Sequence, residues 1–164
     1  MTTIDNNNYK VIITTAGIGS RLEGLSEKIN KALITVANKP IISHIIDKFD
    51  ANIEIVIALG YKKENVKNYL TLAHPERKFT FVEVTPFEGD GSGLGYTLLS
   101  CKDHLQCPFI FCSNDTIVTN KIPEPTNNWM GFFNSTDNSQ YRSVKLDHMQ
   151  KVTEICSKGA SGDT

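Results

Sequence analysis

The sequence predicts a three-layer α/β sandwich built on a mostly parallel sheet. Two observations carry this. Short apolar, β-branched runs alternate along the chain with segments whose apolar residues recur at helical spacing. That alternation implies parallel strands joined by right-handed crossovers.

Each element has its own justification. Residues 9–15 (YKVIITT) read as a buried parallel strand. Pro40 suits the first turn of a helix, and Ile41, Ile45, Ile46 and Phe49 follow as its buried stripe. Residues 53–59 (IEIVIAL) form the second strand and end at Gly60. Residues 62–74 form the second helix, with Val66, Tyr69, Leu70 and Ala73 on one face and Pro75 just beyond. Residues 79–84 alternate as a third strand, a helix is expected near 97–105, and residues 108–112 (PFIFC) are the fourth strand. The predicted strand order is 3-2-1-4. After a loop at 120–128 the pattern changes: residues 129–134, 141–147 and 151–156 read as short strands in an antiparallel or mixed extension.

Composition narrows the function classes. The 164 residues suit one domain, and a chain of this length buries roughly 70% of its unfolded surface. Seventeen basic against eighteen acidic residues give a net charge of -1, which argues against a nucleic-acid footprint or a polybasic membrane anchor. The apolar runs are too short to span a bilayer, and the N-terminal MTTIDNNNYK lacks the apolar stretch of a signal peptide. The expected setting is the cytoplasm. Cys101, Cys107, Cys112 and Cys156 have no CxxC spacing and read as free thiols rather than a zinc site or disulfide frame. The closing CSKGASGDT stops in loop-like residues just after a strand, so residues 1–164 read as one domain cut short at its C-terminal end.

Four stretches carry chemistry. AGIGSRL follows the first strand, and its Gly17 and Gly19 allow the backbone to approach a ligand and point amides at phosphate oxygens. Leu22 stands where a dinucleotide fingerprint needs a third Gly, and no Gly-Lys-Ser/Thr of a Walker A loop is present. Arg21 supplies a planar fork suited to phosphate instead. Lys31 lies ten residues further on, before an apolar run; Lys28 and Lys39 have similar isolated claims. Asp115, in SNDT, sits just past the fourth strand. With order 3-2-1-4 the topological switch point lies between strands one and four, so the glycine loop and Asp115 would face one crevice. A carboxylate there suits Mg²⁺ carried on a nucleotide. Finally, GDGSGLGY places Gly89, Gly91, Gly93 and Gly95 ahead of a helix, a surface that could lie against a base or sugar.

ITTAGIGSRL…NKALITVANKPIISHII resembles the opening of the nucleotidylyltransferases that activate sugar phosphates and related phospho-alcohols. The matching residues are Gly17, Gly19, Arg21, Lys31, Leu33, Lys39, Pro40 and Ile41. GSGLGYTLL resembles the family's base- and sugar-binding stretch, CSNDTIV its strand-end Asp motif, and KVTEICSKG the strand leading to its Glu-Lys-Pro motif. The chain departs from the pattern at Thr14 and Thr15, at Asn30 (usually Pro), and at Ser157 and Gly159 (usually Glu and Pro). The resemblance covers nearly the whole chain and implies a Rossmann-like fold and a Mg²⁺-dependent transfer of a nucleotidyl group from an NTP to a phosphorylated small molecule. It implies catalytic roles for Arg21 and Lys31. Nucleotide binding falls to Thr15, Ala16, Gly17, Gly19, Ser20, Arg21, Gly91 and Gly93. Asp115 becomes the Mg²⁺ ligand and Lys158 the acceptor-phosphate contact. The implied partners are the NTP and a phosphorylated acceptor, with no nucleic acid and no membrane; a homo-oligomer is compatible with this. Two rival readings are a non-catalytic nucleotide-binding regulatory module and a metal-dependent glycosyltransferase. The latter would want Asp-x-Asp where this chain has Asn114-Asp115-Thr116.

Overall fold

The computed structural model describes residues 9–19, 24, 27–139 and 141–160. The chain divides into two compact units, Met1–Asn127 and Asn128–Thr164.

In the first unit, β1 (Lys10–Thr14) comes before a 3-10 turn at Lys31–Leu33. A small hairpin comes next, of β2 (Thr35–Val36) and β3 (Lys39–Pro40). Then come α1 (Ile41–Ile46), β4 (Glu54–Leu59), α2 (Lys63–Ala73), β5 (Phe79–Glu83), α3 (Leu94–Ser100), a 3-10 turn at Lys102–His104, and β6 (Phe109–Ser113). The main sheet runs β5-β4-β1-β6 with every pair parallel, which is the predicted order 3-2-1-4.

The core explains why these runs became central strands. Val11, Ile12 and Ile13 of β1 and Ile55, Val56 and Ile57 of β4 have no exposed surface. Strands buried on both faces read as continuous apolar runs rather than as alternation. The pleat divides their side chains between two layers. Val11, Ile13, Ile55 and Ile57 join Ile42, Ile45 and Ile46 of α1 and Val66 and Leu70 of α2. Ile12, Val56 and Ala58 face the other way, to Cys101, Leu105 and Leu98. Helices on both faces make the three layers.

Several elements differ from expectation. The first helix ends at Ile46, and Ile42, not Ile41, is its fully buried member near the start. Ala73, expected on the buried face of α2, is exposed. α3 starts at Leu94, three residues early, because Gly93 at φ 137° opens it and its carbonyl accepts the Thr97 N–H. The hairpin β2–β3 was not anticipated. It turns on Ala37 and Asn38 at φ 48° and 62°, positive angles at both central positions of the kind tight hairpins use.

The second unit holds one antiparallel pair, β7 (Arg142–Leu146) and β8 (Val152–Lys158), in which Val144 faces Ile155 and Leu146 faces Val152. The Asp147 carboxylate ties its turn by accepting from the Met149 and Lys151 N–H groups. The strand expected at residues 129–134 does not form. Trp129, Met130, Phe132 and Phe133 are all exposed, at 41–67%, so the run has no buried face on which to alternate. All four cysteines are free, and no group of three or more metal-ligating side chains exists among the described residues. No described helix is long and apolar enough to cross a membrane.

Candidate functional site

Parallel register brings three strand ends side by side. Thr14, the last residue of β1, is level with Ala58 of β4 and with Ser113, the last residue of β6. The glycine loop, Gly60 and the SNDT turn therefore leave from one edge. β1 and β6 are neighbours whose crossovers run in opposite directions, so this edge is the switch point where α/β sheets take ligands.

The loop after β1 is anchored before it opens. Thr15 is fully buried; its N–H and its hydroxyl both donate to the Ala58 carbonyl, at 2.9 and 2.8 Å. The Ala16 carbonyl accepts from the Tyr61 N–H at 2.9 Å. The polar atoms of these two residues that the structure pairs are thus spent on the scaffold. Gly17 is exposed with open space where a Cβ would lie, and Gly19 sits at φ 75°. The loop passes so close to β4 that a Cβ on Gly60 would stand 2.7–2.8 Å from Ala16. Ser20 and Arg21 lie outside the described residues.

Asn30 is the fixture that sequence reading missed. Its side chain has no exposed surface. The amide nitrogen donates to the Thr15 carbonyl at 3.0 Å and to the Tyr61 carbonyl at 2.6 Å, while the amide oxygen accepts from the Ala32 N–H at 2.9 Å. The last bond caps the turn that carries Lys31. An Asn directly ahead of a short turn is the one sequence signal that could have pointed to it.

Lys31 Nζ donates to Asp115 Oδ2 at 2.9 Å across 84 residues of sequence. The pair is only partly buried, so it contributes about 0–1 kcal/mol to stability. A buried amide whose loss strands several backbone partners is worth more, about 1–3 kcal/mol for each group left unsatisfied. Asn30 anchors the turn that carries Lys31, and the ion pair connects that turn to Asp115. Burial pushes the Asp115 carboxyl up, but the Ser113 hydroxyl and the Lys31 ammonium outweigh it and hold the group below the ordinary carboxylate value. Asp115 is an ionised carboxylate with the Ser113 hydroxyl donating to its other oxygen.

The remaining candidates belong to other elements. Gly91 and Gly93 belong to the segment after β5, at φ 80° and 137°, with open space around both. That segment leaves the same edge of the sheet, and Tyr96 donates from its hydroxyl to the Thr85 carbonyl to hold it. A cavity of about 250 Å³ opens beside it, lined by Gly60, Lys63, Glu83, Val84 and Phe87 among others. Lys158 is exposed on β8 of the second unit, opposite Arg142. Lys39 pairs with Asp47, and Lys28 is exposed.

With the glycine loop, Lys31 and Asp115 at one switch point, comparison with known proteins decides the family. The family model for nucleotidyl transferases matches residues 10–124. The chain belongs to the nucleotidyl transferase family. It is 29% identical over 150 residues to the bifunctional protein GlmU of Methanococcus maripaludis, covering 90% of this chain and 35% of that protein. It is 31% identical over 111 residues to the UTP–glucose-1-phosphate uridylyltransferase AglF of Haloferax volcanii, covering 66% of this chain and 44% of the relative. Among solved structures, the CTP:phosphocholine cytidylyltransferase of Streptococcus pneumoniae superposes with a TM-score of 0.66 at 25% identity, over 92% of this chain and 66% of that one. The chain thus spans about a third of the length of the M. maripaludis relative.

Proposed function

We propose that the protein transfers an NMP group from an NTP to the phosphate of a sugar 1-phosphate or a similar phosphorylated small molecule and releases pyrophosphate. The observation that carries the reading is the meeting of the glycine loop, Lys31 and Asp115 at the adjacent carboxyl ends of β1 and β6, in a member of the nucleotidyl transferase family.

The chemistry follows from the parts. An acceptor phosphate oxygen attacks the α-phosphorus in line, the bond to the oxygen bridging α and β breaks, and pyrophosphate leaves. No covalent enzyme intermediate is required, so positioning and charge neutralisation do the catalysis. The Gly17–Gly19 backbone and Arg21 take the β- and γ-phosphates. Lys31 offsets the charge that grows around the α-phosphorus; one cation at ~4 Å and an effective dielectric of ~20 supplies about 4 kcal/mol before desolvation. Gly91 and Gly93 let the base and sugar approach the backbone, and Lys158 contacts the acceptor phosphate. Asp115 fits a Mg²⁺ carried by the nucleotide, since one ionised carboxylate beside substrate phosphates is a usual ligand set; bound there, the ion would neutralise phosphate charge. The acceptor class is supported by relatives: AglF is named for glucose 1-phosphate and the S. pneumoniae enzyme for phosphocholine. Sugar 1-phosphates come first on this reading and phospho-alcohols second.

A matrix of the four NTPs against candidate phosphates, read by pyrophosphate release, tests the proposal. Release should require both a phosphorylated acceptor and Mg²⁺, and Arg21→Ala should lower turnover by about 10²–10³-fold. Tight nucleotide binding without pyrophosphate release in any combination would replace this reading with that of a nucleotide-binding module.

A further inference from the structure

We propose that Asn30 is a positioning residue for nucleotidyl transfer: its buried amide ties the glycine loop, the end of β4 and the Lys31 turn together and so fixes Lys31 and Asp115 relative to the loop. The inference rests on the reading of the site given above.

Both functional ends of the amide are engaged. One nitrogen reaches backbone carbonyls 15 and 31 residues away, and the oxygen holds the Ala32 N–H. All three partners are backbone atoms, which have no rotamers to escape into. One of the tied segments is the root of the glycine loop, at Thr15. The second, at Tyr61, is hydrogen-bonded to the same loop through Ala16. The third begins with Lys31, whose ammonium holds Asp115. A single side chain therefore links the phosphate-type loop to Lys31 and, through it, to Asp115. No isosteric residue reproduces the set, because Asp offers no donor and Ser reaches too short. The backbone of Asn30 lies at φ −65° and ψ 139°, a conformation proline adopts. The backbone angle alone is thus available without the amide, and the tie is what asparagine adds.

Two variants separate angle from tie. Asn30→Asp keeps the acceptor for Ala32 and loses both donors. Asn30→Pro keeps the angle and loses the whole amide. The first readout is the rate at which an amine-reactive ester labels Lys31, with Lys10 as the internal reference because its ion pair with Glu54 lies away from Asn30. Labelling of Lys31 relative to Lys10 should rise several-fold in both variants; an unchanged ratio overturns the tie, whatever the protein catalyses. The second readout is steady-state turnover of NTP and acceptor. Misplacement of this kind costs about 10²-fold in rate, so kcat should fall by about that factor. KM for NTP should stay within about twofold, as expected where the lost interaction matters in the transition state. In a Lys31→Met background the further loss from Asn30→Asp should be within about twofold, since the lysine to be positioned is gone. Full additivity of the two substitutions, or wild-type kcat in Asn30→Pro, overturns the proposal. A wild-type protein that releases no pyrophosphate overturns the reaction itself, and the labelling ratio then decides whether the tie exists.

Discussion

Lys31 and Asp115 hold each other at 2.9 Å, yet a nucleotide should ask different things of them. On the proposed function Asp115 would hold the nucleotide's Mg²⁺, so Asp115→Asn should abolish the gain in NTP affinity that Mg²⁺ brings. Lys31→Met should leave affinity closer to normal and slow the chemical step, because its charge is needed most in the transition state. Titration calorimetry with NTP, with and without Mg²⁺, separates the two; equal Mg²⁺ dependence in wild type and Asp115→Asn would remove Asp115 from the site. Asp115 was legible from its place just past a strand end, whereas Lys31 stood out from Lys28 and Lys39 only through the family resemblance. Asn30 stood out only as a departure from a family pattern and as an Asn ahead of a short turn; its ties to the Thr15 and Tyr61 carbonyls are encoded in no local motif. A second residue-scale effect lies far from the chemistry. The Ser43 hydroxyl joins Tyr69 and His74 Nε2, each at 2.8 Å. Burial pushes His74 below its ordinary value of 6.5; Asp47 and Glu76 pull it up, while Arg77 and Lys39 push it further down. The unfolded chain then binds the proton more readily than the folded one, so stability is complete above pH ~6.5 and falls as the pH drops towards the folded value. Urea midpoints measured from pH ~8 to ~5 should decline in wild type and flatten in His74→Gln. Parallel profiles would show that His74 contributes nothing to the pH dependence.

At the scale of elements, the fold depends on two strands packed too closely for any side chain at their exit. Gly60 was visible as the residue that stops a strand, whereas its contact with Ala16 came from the register between β1 and β4. Gly60→Ala should displace the root of the glycine loop. Overpacking of this kind costs about 1–3 kcal/mol, so the urea midpoint should fall and NTP affinity with it. A variant that kept both would mean the loop can shift without consequence. The strands themselves were legible for a plain reason: full burial on two faces demands the apolar runs of β1 and β4, and such runs are hard to mistake. The misreadings share a different cause. Residues 129–134 are apolar without a buried face, the β2–β3 hairpin turns on Ala37 rather than a glycine, and α3 begins where Gly93 permits. Each depends on backbone conformation or burial that residue type alone does not fix.

On the scale of the whole molecule, the residues proposed for the nucleotide and the one proposed for the acceptor fall in different units. Met1–Asn127 contains the four-stranded sheet, both apolar clusters, the glycine loop, Asn30, Lys31 and Asp115. Asn128–Thr164 contains the β7–β8 pair and Lys158, with Val152 and Ile155 exposed at 41% and 54%. Among the described residues every member of both clusters comes from the first unit, and burial of that apolar surface drives its folding. Residues 1–127 should therefore unfold in one cooperative urea transition and bind Mg²⁺-NTP within about twofold of the 164-residue chain, the margin within which independent parts add. The same division predicts where Lys158 acts. Lys158→Met should raise KM for the phosphorylated acceptor while NTP binding stays unchanged, because a lysine aimed at the acceptor contributes nothing to the first substrate. Calorimetry on both lengths and initial rates over an acceptor series give the two numbers. A loss of nucleotide affinity in residues 1–127, or a Lys158→Met change that appears in NTP binding, would show that the second unit helps to build the nucleotide site and that the division of labour drawn here is wrong.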